Sequence, residues 1–161
     1  MMRVIVLSDS HGDEFTLRWM LEECWKLTGP VDAYIHCGDG AHDFARLENF
    51  IRARDEHAAF YGVRGNCDFM AHDLPDFRLI GLGGANILVT HGHLYRVKST
   101  LTYLEDAARE HGCSIALFGH THKACMEIRH ALLVNPGSAA DGRMALLEVE
   151  DGRPRLQLLS F

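Results

Sequence analysis

Residues 3–12 read Arg3-Val4-Ile5-Val6-Leu7-Ser8-Asp9-Ser10-His11-Gly12. The run Val4–Leu7 is apolar and mostly β-branched, with no polar alternation. That fits a strand buried on both faces, as in a parallel sheet. It breaks at once into Asp9-x-His11-Gly12. Residues two apart at a strand end can present their side chains to the same side. A carboxylate and an imidazole so placed are a natural pair of metal donors.

The same pattern recurs along the chain. The run Ala33–Ile35 leads to Gly38-Asp39-Gly40, and Ala58–Val63 leads to Gly65-Asn66. Asn86–Thr90 runs into His91, and Ser114–Phe118 into Gly119-His120-Thr121-His122. Between these runs apolar residues take helical spacing. Leu17, Met20, Leu21 and Cys24 predict a helix from Asp13 to Leu27, and Phe44, Leu47 and Ile51 one from Asp43 to Arg54. Leu101, Leu104 and Ala108 predict a third, capped near Ser99 and ending before Gly112. Beyond it, Cys125–Ile128, Leu132–Val134, Met144–Val149 and Leu156–Leu159 are short runs split by turns such as Glu150-Asp151-Gly152-Arg153. They read as antiparallel hairpins in a meander. The order is βαβαβ, a β-rich stretch, βαβ and the meander, which two packed sheets flanked by helices accommodate. Functional groups then collect where strands end, so five strand ends meet on one edge.

The totals agree with an ordered globular protein of modest size. At 161 residues, 47% hydrophobic and 24% charged, the chain can form one domain, 1–161, with a sizeable core. A net charge of −6 argues against stable nucleic-acid binding. It does not exclude a phosphate substrate, because two bound divalent ions would reverse the charge locally. The five cysteines are odd in number and show no CxxC pairing, which favours a reducing, cytoplasmic setting. The first apolar run is too short for a signal segment or a membrane span. Histidine is abundant, with 11 residues, and four of them stand in the motifs above.

Asp9, His11, Asp39, Asn66, His91, His120 and His122 together offer two carboxylates, one amide and four imidazoles. That donor set suits two adjacent divalent ions that activate water against phosphorus. Without thiolates it favours Mn²⁺, Fe²⁺ or Zn²⁺ over Mg²⁺ or Ca²⁺.

The segments SDSHG (8–12), HCGDG (36–40), RGNCD (64–68), THGH (90–93) and FGHTH (118–122) resemble the motif series of calcineurin-like metallophosphoesterases. Their spacing is similar to that of the compact, YfcE-like phosphodiesterase branch. The resemblance implies an α/β fold, a four-layer αββα sandwich of two mixed β-sheets flanked by helices. It implies that Asp9, His11 and His122 hold one metal, that Asn66, His91 and His120 hold the other, and that Asp39 bridges them. A hydroxide between the metals would attack phosphorus in line. Mn²⁺ leads the candidates, with Fe²⁺, Ni²⁺ and Zn²⁺ as alternatives. Arg64 matches the position of a phosphate-contacting arginine, with an ion pair to Asp68 as its other reading. Asn135-Pro136-Gly137-Ser138 matches a supporting turn.

Two positions depart from the wider family. Cys67 stands where many members have a histidine after the asparagine, as it does in the compact branch. A thiol is a weaker proton donor, so activated diesters with good leaving groups gain over monoesters. His93, two residues after His91, could supply the missing proton. His42 stands where members often have an acid three residues after the bridging aspartate, with Asp43 next to it. The resemblance therefore implies a metal-dependent phosphodiesterase for small or activated phosphodiesters. A phosphomonoesterase of the same fold, or a non-catalytic protein-interaction scaffold like the retromer subunit of the superfamily, is the alternative. The expected partner is a small phosphoester, with no membrane; exposed strand edges in the meander leave a homo-oligomer open.

Overall fold

Three apolar runs pair in parallel because a helix returns the chain after each of the first two; those two are buried, and the third closes the edge of the sheet half-buried. In the computed structural model, which describes residues 1–161, these are β1 (Met2–Leu7), β2 (Ala33–His36) and β3 (Ala59–Gly62). The helices α1 (Glu14–Leu27) and α2 (Ala41–Arg52) make the crossovers. The chain continues through β4 (Phe77–Leu82), β5 (Ala85–Thr90), α3 (Thr102–Glu110) and β6 (Ile115–Leu117). It ends with β7 (Cys125–Ile128), β8 (Leu132–Asn135), β9 (Arg143–Glu150) and β10 (Arg153–Ser160). One sheet has the order β10-β9-β1-β2-β3 and the other β4-β5-β6-β8-β7. Each has three parallel strands: β1, β2 and β3 in the first, β5, β6 and β8 in the second. An antiparallel hairpin extends the first sheet, and antiparallel strands flank the parallel core of the second.

Period-two alternation builds the layers. Val4, Val6, Ala33 and Ile35 face Ile87, Val89, Ile115 and Leu117 in the core between the sheets. Their neighbours Ile5, Leu7 and Tyr34 point the other way and pack on Leu17, Met20, Leu47 and Ile51 of α1 and α2. Leu88, Ala116, Phe118 and Leu133 cover the far face of the second sheet and meet Leu104 and Ala108 of α3. The result is the four-layer αββα sandwich. Fully burying each such aliphatic side chain contributes about 1.5–3 kcal/mol.

Three local expectations need correction. Helix α3 begins at Thr102, not near Ser99. Arg96 adopts a left-handed conformation, φ +54°, and its carbonyl accepts the Ser99 and Thr100 amides in a turn that delays the helix. The predicted meander is two separate hairpins. β7 and β8 join the second sheet, whereas β9 and β10 join the first through pairing of β9 with β1. Finally, β4 is an edge strand that had no separate sequence signal. Its Phe77 and Leu79 face solvent, so its apolar residues do not mark one buried face.

One polar contact ties the outer helices to the first sheet. The Tyr34 hydroxyl, fully buried, donates to Asp55 Oδ2 at 2.5 Å and accepts from Trp25 Nε1 at 2.9 Å. Burial first, then the bond to Asp55, raises its pKa above the ordinary phenol value. Replacing Tyr34 by Phe leaves the Trp25 N–H without its acceptor and removes one donor from Asp55, which keeps Arg54 at 2.7 Å, and is expected to cost about 1–3 kcal/mol in urea unfolding at pH 7. Because the folded-state pKa lies above the unfolded one, this contribution is complete below about pH 10 and declines as pH rises beyond it. A wild-type advantage that stays constant to pH 11 would contradict the assignment.

Candidate metal centre

The carboxyl ends of the parallel strands meet at one edge of the sandwich. Asp9 follows β1, Asp39 follows β2, Asn66 lies beyond β3, His91 follows β5 and His120 lies beyond β6. Backbone hydrogen bonds stitch these ends together: Asp9 N to Gly38 O at 2.9 Å, His11 N to Asp39 O at 3.0 Å and Gly119 N to His91 O at 3.0 Å. The fold thus brings all seven predicted donors into one cluster.

Two triads form around the aspartates. In the first, Asp9 Oδ1 lies 3.2 Å from His122 Nε2 and 3.5 Å from His11 Nε2, and those two nitrogens are 3.1 Å apart. In the second, His91 Nε2 lies 3.3 Å from Asp39 Oδ2 and 3.0 Å from Asn66 Oδ1, and the His120 ring stands edge-on to His91 at 5.0 Å. Asp39 Oδ2 is also 3.9 Å from His11 Nε2, which puts it between the triads.

Each aspartate uses one oxygen for the protein and leaves the other for the cluster. Asp9 Oδ2 accepts from Ser8 Oγ at 2.5 Å and His120 N at 3.0 Å. Asp9 Oδ1 is buried and has no hydrogen-bond partner. Asp39 Oδ1 accepts the Cys67 amide at 2.8 Å and leaves Oδ2 to the imidazoles. His91 Nδ1 must donate to Cys37 O, 2.7 Å away, because a carbonyl only accepts. In a neutral ring the Nε2 lone pair then faces two more oxygen acceptors. Only a proton or a cation relieves that arrangement. Burial opposes charging His91, but the Asp39 bond and charge raise its pKa overall. Burial likewise opposes ionisation of Asp39, yet His91 and the Cys67 amide hold its pKa well below the carboxylate range. His120 is pushed to about 4 by burial and by the charges of His91 and Lys98, so its ring is neutral at pH 7, the form that ligates a metal. The donor set therefore fits divalent cations.

The backbone is strained to achieve this. Seven non-glycine residues have positive φ, and five of them are Asp9, His11, Asp39, His120 and His122. Left-handed geometry costs roughly 1–2 kcal/mol per residue, and such costs gather at functional sites. Close approach also demands glycine: a Cβ on Gly65 would overlap the Asp39 carboxylate, and one on Gly119 would overlap Ser8 Oγ.

The three residues predicted for catalysis sit around the cluster. Cys67 is exposed beside His11 and Asp39. His93 is half-buried with its ring 5.4 Å from that of His91; burial and then His91 lower its pKa. It shares a cleft of about 360 Å³ with Arg64 and Asn66. Arg64 does pair with an acid, but with Asp76 at 3.0 Å rather than Asp68.

Asp68 has a role that the sequence did not reveal. Buried, it accepts the amides of Asp39 at 2.8 Å, Gly40 at 3.0 Å, Ala41 at 3.1 Å and Gly65 at 2.8 Å. It locks the Asp39 and Asn66 loops together and caps the start of α2. Asp43 does related work, accepting Ser10 Oγ at 2.7 Å and Gly12 N at 2.8 Å, while the neighbouring His42 is exposed. Asn135 and Ser138, in the predicted supporting turn, donate to Gly119 O at 3.0 Å and Asp9 O at 2.8 Å.

A family model of the calcineurin-like phosphoesterase superfamily domain matches residues 2–152. The chain belongs to that superfamily. It is 41% identical to a probable metallophosphoesterase of Bacillus subtilis, YsnB, over 138 residues, 85% of this chain and 75% of that protein. A Streptococcus pneumoniae protein described as a predicted phosphoesterase superposes with TM-score 0.76 and 29% identity, covering 99% of this chain and 89% of its own. Wild-type Vps29 from Entamoeba histolytica, solved with Zn²⁺, shares the fold with TM-score 0.72 and 22% identity over 99% of both chains. Metallophosphoesterase chemistry and divalent-metal binding follow from membership of the superfamily and the candidate ligand groups. No helix is long and apolar enough to cross a membrane.

Removing the Asp68 charge tests the frame of this centre. Asp68→Asn turns one acceptor oxygen into a donor among four amides and is expected to lower unfolding free energy by about 1.5–3 kcal/mol. Calorimetric Mn²⁺ affinity should fall with it. Unchanged stability and affinity would exclude the bracing role.

Proposed function

We propose that the chain is a dinuclear metal-dependent phosphodiesterase acting on small or activated phosphodiesters, with Mn²⁺ as the working metal and Fe²⁺, Ni²⁺ or Zn²⁺ as substitutes. The observation that carries the reading is Asp9 Oδ1, buried without a partner beside the imidazoles of His11 and His122. An unpaired buried carboxylate oxygen costs several kcal/mol unless a cation is meant to meet it. On this reading Asp9, His11 and His122 hold one ion, Asn66, His91 and His120 hold the other, and Asp39 is shared. Such ions, when bound, supply the Lewis acidity that activates water and neutralises charge developing on phosphorus.

The protein's own groups do the rest. Asp9 and Asp39 keep their free oxygens fixed because backbone amides hold the opposite ones. His91 is held in one tautomer by the Cys37 carbonyl. Arg64 and His93 line the cleft next to Asn66, where they can hydrogen-bond the phosphoryl oxygens. Cys67 replaces an imidazole at the exposed side. That leaves weak protonation of a leaving group and supports diesters with good leaving groups over monoesters.

Chelator-treated protein should not hydrolyse bis(p-nitrophenyl) phosphate until Mn²⁺ is restored. Asp39→Ala and His91→Ala should each lose at least about 100-fold in kcat/KM. Full activity in either variant would overturn the mechanism. On one preparation the diester should turn over faster than p-nitrophenyl phosphate; the reverse order would make it a phosphomonoesterase. The likeness to Vps29 supports a second reading, a protein-interaction scaffold. Metal content well below one ion per chain, with no turnover in added Mn²⁺, would favour it.

A further inference from the structure

The chain has three lysines, and two of them, Lys98 and Lys123, line one cleft. Lys26, the third, is paired with Glu23 at 2.6 Å on α1. Neither Lys98 nor Lys123 forms an ion pair, and no acidic residue lines their cleft. Seven of the thirteen arginines pair with acids, and in a protein of net charge −6 two unpaired lysines give this one cleft a local surplus of positive charge. The cleft has a volume of about 480 Å³ and an apolar floor of Val97, Leu101 and Phe118. Thr121 forms its inner wall, between the candidate ligands His120 and His122. The wall is rigid: Thr121 Oγ1 accepts from Asn135 Nδ2 at 3.0 Å and from Lys123 N at 3.2 Å. The cleft holding Arg64, Asn66 and His93 is lined by different residues and reaches the Asn66–His91–His120 group at Asn66, whereas the lysine cleft lies beside His120. A phosphodiester has two arms, and these two clefts offer each arm a place.

We infer that the Val97–Lys98–Leu101–Phe118–Lys123 cleft is a subsite for a substrate arm with a flat apolar body and a second phosphate, the chemistry of a phosphorylated nucleoside. The apolar floor takes the body, and the lysines take the dianion. Lysine suits this task because its ammonium is a mobile point charge that can follow a flexible phosphate. The volume lies within the range of small-ligand sites. The inference rests on the phosphodiesterase reading only for the nature of the scissile group.

Equilibrium binding tests it without turnover. Isothermal calorimetry of the Mn²⁺-loaded protein should give adenosine 3′,5′-bisphosphate at least about tenfold tighter binding than adenosine 5′-monophosphate, a difference of ~1.4 kcal/mol. In Lys98→Ala/Lys123→Ala that preference should collapse to within about twofold. Lys26→Ala removes the same kind of charge elsewhere and should keep it. Thermal unfolding of each variant confirms that the fold is intact. An equal preference in the double variant, or no preference in the wild type, overturns the subsite. Lysine-dependent binding of a polyglutamate peptide without nucleotide preference also overturns it, in favour of an acidic protein partner. Hydrolysis of bis(p-nitrophenyl) phosphate on the same preparation reports separately on the phosphodiesterase reading. Turnover without the preference sinks the subsite alone, and the preference without turnover sinks the diesterase reading alone.

Discussion

Two buried carboxylates organise this protein. Asp9 and Asp39 each give one oxygen to a backbone amide and keep the other for a group of imidazoles. The amide held by Asp9 is that of His120, on the opposite sheet, and the amide held by Asp39 is that of Cys67, beyond the neighbouring strand. The same two side chains thus fasten strand-end loops across the sandwich and present the free oxygens at its edge. Burial of negative charge is costly, and His91 offsets only part of it at Asp39. The architecture tolerates it because cation binding can recover the cost.

The loops are built to hold that arrangement open. Left-handed backbone at Asp9, His11, Asp39, His120 and His122 turns the chain sharply as each strand ends. Aspartate and histidine accept this geometry more readily than β-branched residues do. Asp68 then fixes the Asp39 and Asn66 loops through four amides, and Asn135 with Ser138 fixes the Asp9 and Gly119 loops from behind. The strain is carried by a frame of hydrogen bonds rather than by the apolar core, which lies a layer below.

Much of this was legible in the chain. The central strands announced themselves because parallel strands covered on both faces are apolar throughout, as in Val4–Leu7 and Ile87–Val89. The edge strand β4 was silent because Phe77 and Leu79 face solvent. The separation of the last two hairpins could not be read, since pairing of β9 with β1 joins residues more than a hundred positions apart. Among site residues, the donors stood out because metal-ligating side chains repeat in short glycine-flanked motifs. Asp68 did not, although it lies in the same segment as Asn66. Its partners are backbone amides, which no residue letter marks. The acid that pairs with Arg64 was misplaced for a similar reason: Asp76 comes close only because β4 starts beside the site.

The sequence by itself determined the chemistry on offer: two carboxylates, one amide and four imidazoles, each placed where an apolar run must end. It did so because side-chain type and strand periodicity are local properties. Only the tertiary structure decided which donors share a point, which oxygen of Asp9 stays unpaired, and that Lys98 and Lys123 open onto one cleft beside them. Those are distances between residues far apart in the chain, and they exist only once two sheets pack face to face and bring their strand ends to a common edge.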